Sequence, residues 1–102
     1  MGASAPFYIM SYSVKTLKTV KAAPRSLGNQ LGRWAVHHDF PVAQVSVITG
    51  ASRQTIYNWF TGKSTVINAY RPAVERLLTI LVKAKDKDQA WSKACQEFNI
   101  QA

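Results

Sequence analysis

Four polar side chains in "TGASRQTIYNWFTGK", residues 49–63, have types and spacing suited to recognition by hydrogen bonding. Arg53 precedes Tyr57 by four positions, as Gln54 precedes Asn58. On a helix turning by about 100° per residue, these four form one contiguous face. Arginine can offer two donors to a guanine edge, and glutamine and asparagine can each donate to and accept from an adenine edge. Tyrosine and threonine can bond phosphate or touch a thymine methyl. The face carries no acid to repel phosphate, and the start of a helix adds a partial positive charge. Ser52, Thr55, Thr61, Lys63 and Arg71 surround it as candidate phosphate contacts, which position a duplex without specifying its sequence.

Other chemistries find less support. His37 and His38 are adjacent, so on a helix they point about 100° apart and do not readily share a metal. No Cys/His set has ligand spacing. Cys95 sits on an apolar stripe without a histidine nearby in sequence, and a buried, unreactive thiol is expected. No glycine-rich phosphate loop or catalytic serine motif occurs. We therefore expect no enzyme activity, no metal, no cofactor and no small-molecule ligand.

Charge favours a polyanionic partner. Of the 102 residues, 1–74 hold eight Lys or Arg and one acid, Asp39, for a net +7. Residues 75–102 hold five Lys or Arg and four acids, for +1. Positive charge concentrated in one part of a small chain points to nucleic acid first and an acidic membrane second. No run reaches the roughly 18 apolar residues of a membrane span. A single cysteine fits a reducing compartment, and a cytoplasmic location is expected. The opening "MGASAPFYIM" lacks the positive n-region and long h-region of a signal peptide. Met10 is a second candidate start, which would make residues 1–9 an extension.

The elements that must position the polar face come from helical periodicity. Residues 11–23 place Val14, Leu17 and Val20 three apart, with Lys15, Lys18 and Lys21 in the same rhythm, before Pro24 interrupts. With Arg25 this reads as a basic arm holding at most a helical turn, either tracking DNA or standing solvated. Leu27, Leu31, Trp34, Ala35 and His38 then form a helical stripe, with Ser26 as N-cap. Gly28 and Gly32 share one face and would let another helix approach closely. Asp39–Phe40–Pro41 ends this helix.

Pro41 opens a short helix whose inward residues are Val42, Val45, Ile48 and Thr49. Gly50 is a turn, Ser52 caps the helix of the polar face, and Gly62 lies at its C-terminal end. The back of that helix carries Ile56, Trp59 and Phe60 at core spacing. Residues 63–70 connect to a helix opened by Pro72, with Val74, Leu77, Leu78, Leu81 and Ala84 inward. Glu75 is expected in its first turn, and Lys83 and Lys85 in its last. Residues 86–88 form a hinge, and Asp88 caps a last helix presenting Trp91, Ala94, Cys95 and Phe98. For Trp34, Trp59 and Trp91, core packing is the expectation rather than base stacking.

A short helix, a tight turn at Gly50 and a second helix with Ile56 and Trp59 facing back make a helix-turn-helix pattern. Here the chain resembles the phage repressor/Cro-like (Xre-like) helix-turn-helix family. The resemblance rests on Val45, Ser46, Gly50, Ala51, Ser52, Ile56 and Trp59, with "LGNQLGRWA" similar to the family's first helix, and covers roughly residues 26–82. It implies groove-reading side chains at Arg53, Gln54, Tyr57 and Asn58. Two positions depart from the pattern. Val42 stands where many members carry a phosphate-bonding glutamine, and Ser46 replaces a small alanine, so its hydroxyl needs a partner.

The expectation is thus an all-α, repressor/Cro-like domain of about five helices over residues 25–102, preceded by an extension and basic arm over 1–24. Its expected function is sequence-specific binding of double-stranded DNA in transcriptional regulation, in a phage or mobile element. Such domains usually dimerise, and the Trp91/Phe98 helix is either the dimer surface or packed on its own domain. Two alternatives remain open: a DNA-recognition subunit for packaging, recombination or replication, and a protein-interaction module acting on RNA polymerase.

Overall fold

The computed structural model describes residues 11–101. Among the described residues there are six helices and no strand: α1 (Val14–Ala22), α2 (Leu27–His37), α3 (Val42–Thr49), α4 (Arg53–Phe60), α5 (Arg71–Lys83) and α6 (Lys87–Glu97). The proposed extension over residues 1–9, and Met10, lie outside the described residues. The helix beyond the five expected is α1, the segment expected to be a basic arm.

That segment forms helix because Ser13 caps it, its hydroxyl accepting from the Thr16 amide. It stays because its ends are tied down. Tyr12 is buried, and its hydroxyl donates to the Phe40 carbonyl. Burial pushes that hydroxyl well above the usual phenol range, with Tyr57 and Asp39 adding to the effect, so it remains a neutral donor. Val20 is buried near the other end.

α2 is the central helix, with α4, α5 and α1 packed around it. Its glycines make this possible. A Cβ on Gly28 would lie 2.7 Å from Trp59 Cβ, and one on Gly32 would lie 2.7 Å from Phe60 Cγ. Such separations are far inside van der Waals contact, so α4 can pack this closely only against glycine. Leu31 and Ala35 are fully buried beside them, and Leu27 and Trp34 are partly buried. The chain turns after α2 with Asp39 at φ +53, and Phe40 enters the core. His38 is also used structurally: its Nε2 lies 2.7 Å from the Leu81 carbonyl, which can only accept, so this nitrogen carries the proton.

Several local expectations shift by a residue or two. Pro41 is the N-cap of α3 rather than its first residue. α6 is capped by Asp86, whose carboxylate accepts from the Gln89 amide, and Asp88 falls in the first turn instead. Glu75 lies beyond the first turn of α5, where it meets Arg71, and Lys85 lies past its end. On α5, Ile80 joins Val74, Leu77 and Leu81 in the core. Cys95 is half-buried rather than enclosed. α6 lays Ala90, Ala94, Trp91 and Phe98 against its own chain, with Trp91 near Phe40 and Arg76 stacked 4.6 Å over the Phe98 ring. That face packs on its own domain with Trp91 and Phe98 half-buried. No helix of the described residues is long and apolar enough to cross a membrane.

Candidate nucleic-acid interface

α3 and α4 are eight-residue helices joined by the turn at residues 50–52. Gly50 has φ +80, a left-handed conformation that a side chain would strain. Ser46 meets the need its hydroxyl creates by donating to the Ala51 carbonyl at 2.7 Å. Ala51 itself is buried. Ser52 caps α4, its Oγ accepting from the Thr55 amide at 3.1 Å. At the far end, the Lys63 amide donates to the Asn58 carbonyl and the Gly62 amide to Trp59, a closed helix terminus with Gly62 at φ +81.

α4 divides by face as its sequence indicates. Ile56, Trp59 and Phe60 are essentially inaccessible. Each contributes about 1.5–3 kcal/mol when fully buried, so the back of this helix is firmly held. Arg53 and Gln54 are exposed, whereas Tyr57 and Asn58 are half-buried. The four therefore differ in reach. Gln54 Nε2 donates to Asn58 Oδ1 at 3.0 Å, joining two of them in the absence of a ligand.

Beside the half-buried pair lies α1. Together with α4 it walls a solvent-open furrow of about 290 Å³, with Lys15, Thr16 and Thr19 on one side and Gln54, Tyr57, Asn58, Thr61 and Lys63 on the other. No acid lines it. Two residues unremarked in the sequence hold α1 in this position. Asn29 is fully buried in α2 and donates through Nδ2 to the Val20 carbonyl of α1 at 2.9 Å and to the Phe60 carbonyl of α4 at 2.7 Å. Its Oδ1 accepts from Arg33 Nε at 2.7 Å, and Arg33 Nη2 donates to the Lys21 carbonyl at 2.8 Å. Arg33 thus places a positive charge at the C-terminal end of α1, where the helix dipole favours it. The glycines flanking Asn29 were the only sequence signal that this part of α2 is in tight contact.

The remaining candidates disperse. Lys18 and Lys21 line a different groove, between α1 and α2, with Val36 and His37. Arg25 lies beside Gln30 and Trp34. The hydroxyls of Ser52 and Thr55 bond each other at 2.8 Å, and Thr61 Oγ1 donates to the Tyr57 carbonyl at 2.7 Å. Arg71 pairs with Glu75 at 3.3 Å. Among the described residues, Arg53, Lys15 and Lys63 make no ion pair. Asp39, the one acid of residues 1–74, accepts from the Ser11 amide and pairs with Lys87, so it is engaged elsewhere.

In comparisons with known proteins, no family model, no curated protein and no solved structure matches this chain.

Proposed function

We propose that this protein is a sequence-specific double-stranded DNA-binding regulator of transcription, with α4 entering the major groove. One observation carries the reading. α4 buries its apolar residues completely and leaves Arg53 and Gln54 exposed at its N-terminal turn, unopposed by any acid. A rigidly held helix presenting bidentate donors and an amide has the chemistry to discriminate base edges. The order α3, Gly50 turn, α4 supports the helix-turn-helix reading, and the resemblance to phage repressor/Cro-like regulators supports a phage or mobile-element setting in the host cytoplasm. Lys63 and Lys15 supply uncompensated charge for phosphate contacts beside the reading helix.

One short helix reads only a few base pairs, so the protein acts as a dimer on two half-sites. The inner face of α6 is occupied, so a dimer through the C-terminal helices uses their outer faces. The test is selection from randomised duplexes with the purified protein at moderate salt. Enrichment of one motif is the expected result. Binding without any enriched motif would reduce the protein to a nonspecific cation, and light scattering showing a strict monomer on the selected site would remove the dimer.

A further inference from the structure

We propose that the furrow between α1 and α4 seats one sugar-phosphate strand of the duplex, and that Tyr57 serves there as a phosphate donor and not as a base reader. This rests on the DNA-binding reading above and refines which residues of α4 do what. The residue types of α4 suggest four equivalent reading positions. The structure makes them unequal: Tyr57 and Asn58 are half-buried and line the furrow shared with α1, while Arg53 is exposed and does not line it.

The furrow has the chemistry of a phosphodiester site. Lys15 stands on one wall and Lys63 on the other, and no carboxylate intervenes. Two of the three threonine protons are committed: Thr19 Oγ1 donates to the Lys15 carbonyl at 2.9 Å and Thr61 Oγ1 to the Tyr57 carbonyl at 2.7 Å, whereas Thr16 Oγ1 accepts from Ser13 Oγ and keeps its own proton. Among the described residues, neither the Tyr57 hydroxyl nor the Asn58 amide nitrogen donates to a protein acceptor. The donors left to face a ligand are therefore two ammonium groups, a phenol, the Thr16 hydroxyl and the amides of Asn58 and Gln54. An anion with several acceptor oxygens satisfies such a set. A base edge, flat and mixed in donors and acceptors, would meet mostly donors, with Gln54 Oε1 the free amide acceptor.

Position agrees with this chemistry. When the N-terminal turn of a helix lies in the major groove, the backbone bounding that groove passes along the helix flank. Lys63 is fixed at that flank by its own amide bond to the Asn58 carbonyl at 2.9 Å. Lys15 is carried to it by α1. Lys18 and Lys21, three and six residues on, rotate away and line the α1–α2 groove. The basic segment is therefore not a uniform tether: one of its lysines shares the site and two do not.

The experiment measures affinity of the full chain and its variants for the selected duplex and for a scrambled duplex of equal length, across a salt series. Lys15→Ala should lower the slope of log K against log salt by about one on both duplexes. Lys21→Ala should leave that slope unchanged. Tyr57→Phe keeps the ring that packs against the domain, so it should fold normally by circular dichroism. It should weaken both duplexes by the same factor, several-fold, with the preferred motif unchanged on reselection. An unchanged slope in Lys15→Ala, or an altered motif in Tyr57→Phe, overturns the furrow assignment while an intact Arg53 effect preserves the reading by α4. Absence of duplex binding by the unaltered protein overturns both.

Discussion

On the α5–α6 side, Arg71 lies 3.3 Å from Glu75, while Arg76 at 3.4 Å and Lys93 at 3.9 Å both reach Glu97. On the α1–α4 side, Lys15, Arg53 and Lys63 have no acidic partner among the described residues. The two regions carry comparable numbers of cations, but only on the α5–α6 side are several of them paired with acids, although Lys83 and Lys85 there also make no ion pair among the described residues. Exposed ion pairs contribute little to stability, about 0–1 kcal/mol each, yet they cancel charge locally. An uncompensated cation contributes nothing to the fold and is available to a phosphate. Net charge alone would have counted these residues alike. Their neighbours decide which of them can recruit a polyanion.

The contrast can be attacked most forcefully through the residue that assembles the α1–α4 side. Asn29→Ala leaves the buried Val20 and Phe60 carbonyls without their donor, at about 1–3 kcal/mol for each unpaired group. Urea denaturation should show a loss in that range or above it. A variant as stable as the parent would mean that these bonds do not hold α1 in place. Next comes Arg53→Ala, expected to cost about 1–3 kcal/mol on the selected duplex and to relax its preference. Arg76→Ala should leave duplex affinity alone, and equal losses in the two variants would erase the distinction between the regions. Lys63→Ala should weaken all sequences alike and reduce the salt slope by roughly one. The smallest effect belongs to Glu97→Gln, which removes two exposed pairs. Its stability change should stay within about 1 kcal/mol in a thermal melt, with duplex affinity unaltered. A gain in affinity matching the Lys63→Ala loss would bring the α5–α6 side into the interface.

Much of the frame was legible in the sequence because it depends on local rules. Ser26 and Ser52 cap where their positions indicate, and the stripes of α2, α4 and α5 bury as their spacing requires. Gly28 and Gly32 do admit α4. Asp88 was read as the cap of α6 where Asp86 takes that role, because both aspartates precede the same apolar stripe. The placement of α1 was not legible at all. Its stripe of Val14, Leu17 and Val20 is weak, and Val14 remains 57% exposed. What docks it are bonds between residues far apart in the chain, Tyr12 to Phe40 and Asn29 to Val20 and Phe60. Periodicity has no access to such pairs. The division of the polar face into exposed Arg53 and Gln54 and half-buried Tyr57 and Asn58 was likewise hidden, since burial depends on neighbours that periodicity does not name.

Asn29 also bears on how the molecule breathes. A nine-residue helix on the outside of a fold ordinarily frays, its amides exchanging with solvent through small, independent openings. Here the carbonyls of Val20 and Phe60 accept the two protons of one buried amide nitrogen, so lifting α1 strips a donor whose other proton is bonded to α4 and loosens the hold on both. Deuterium should therefore enter α1 and α4 together, in one cooperative opening, and α1 should exchange as slowly as α4.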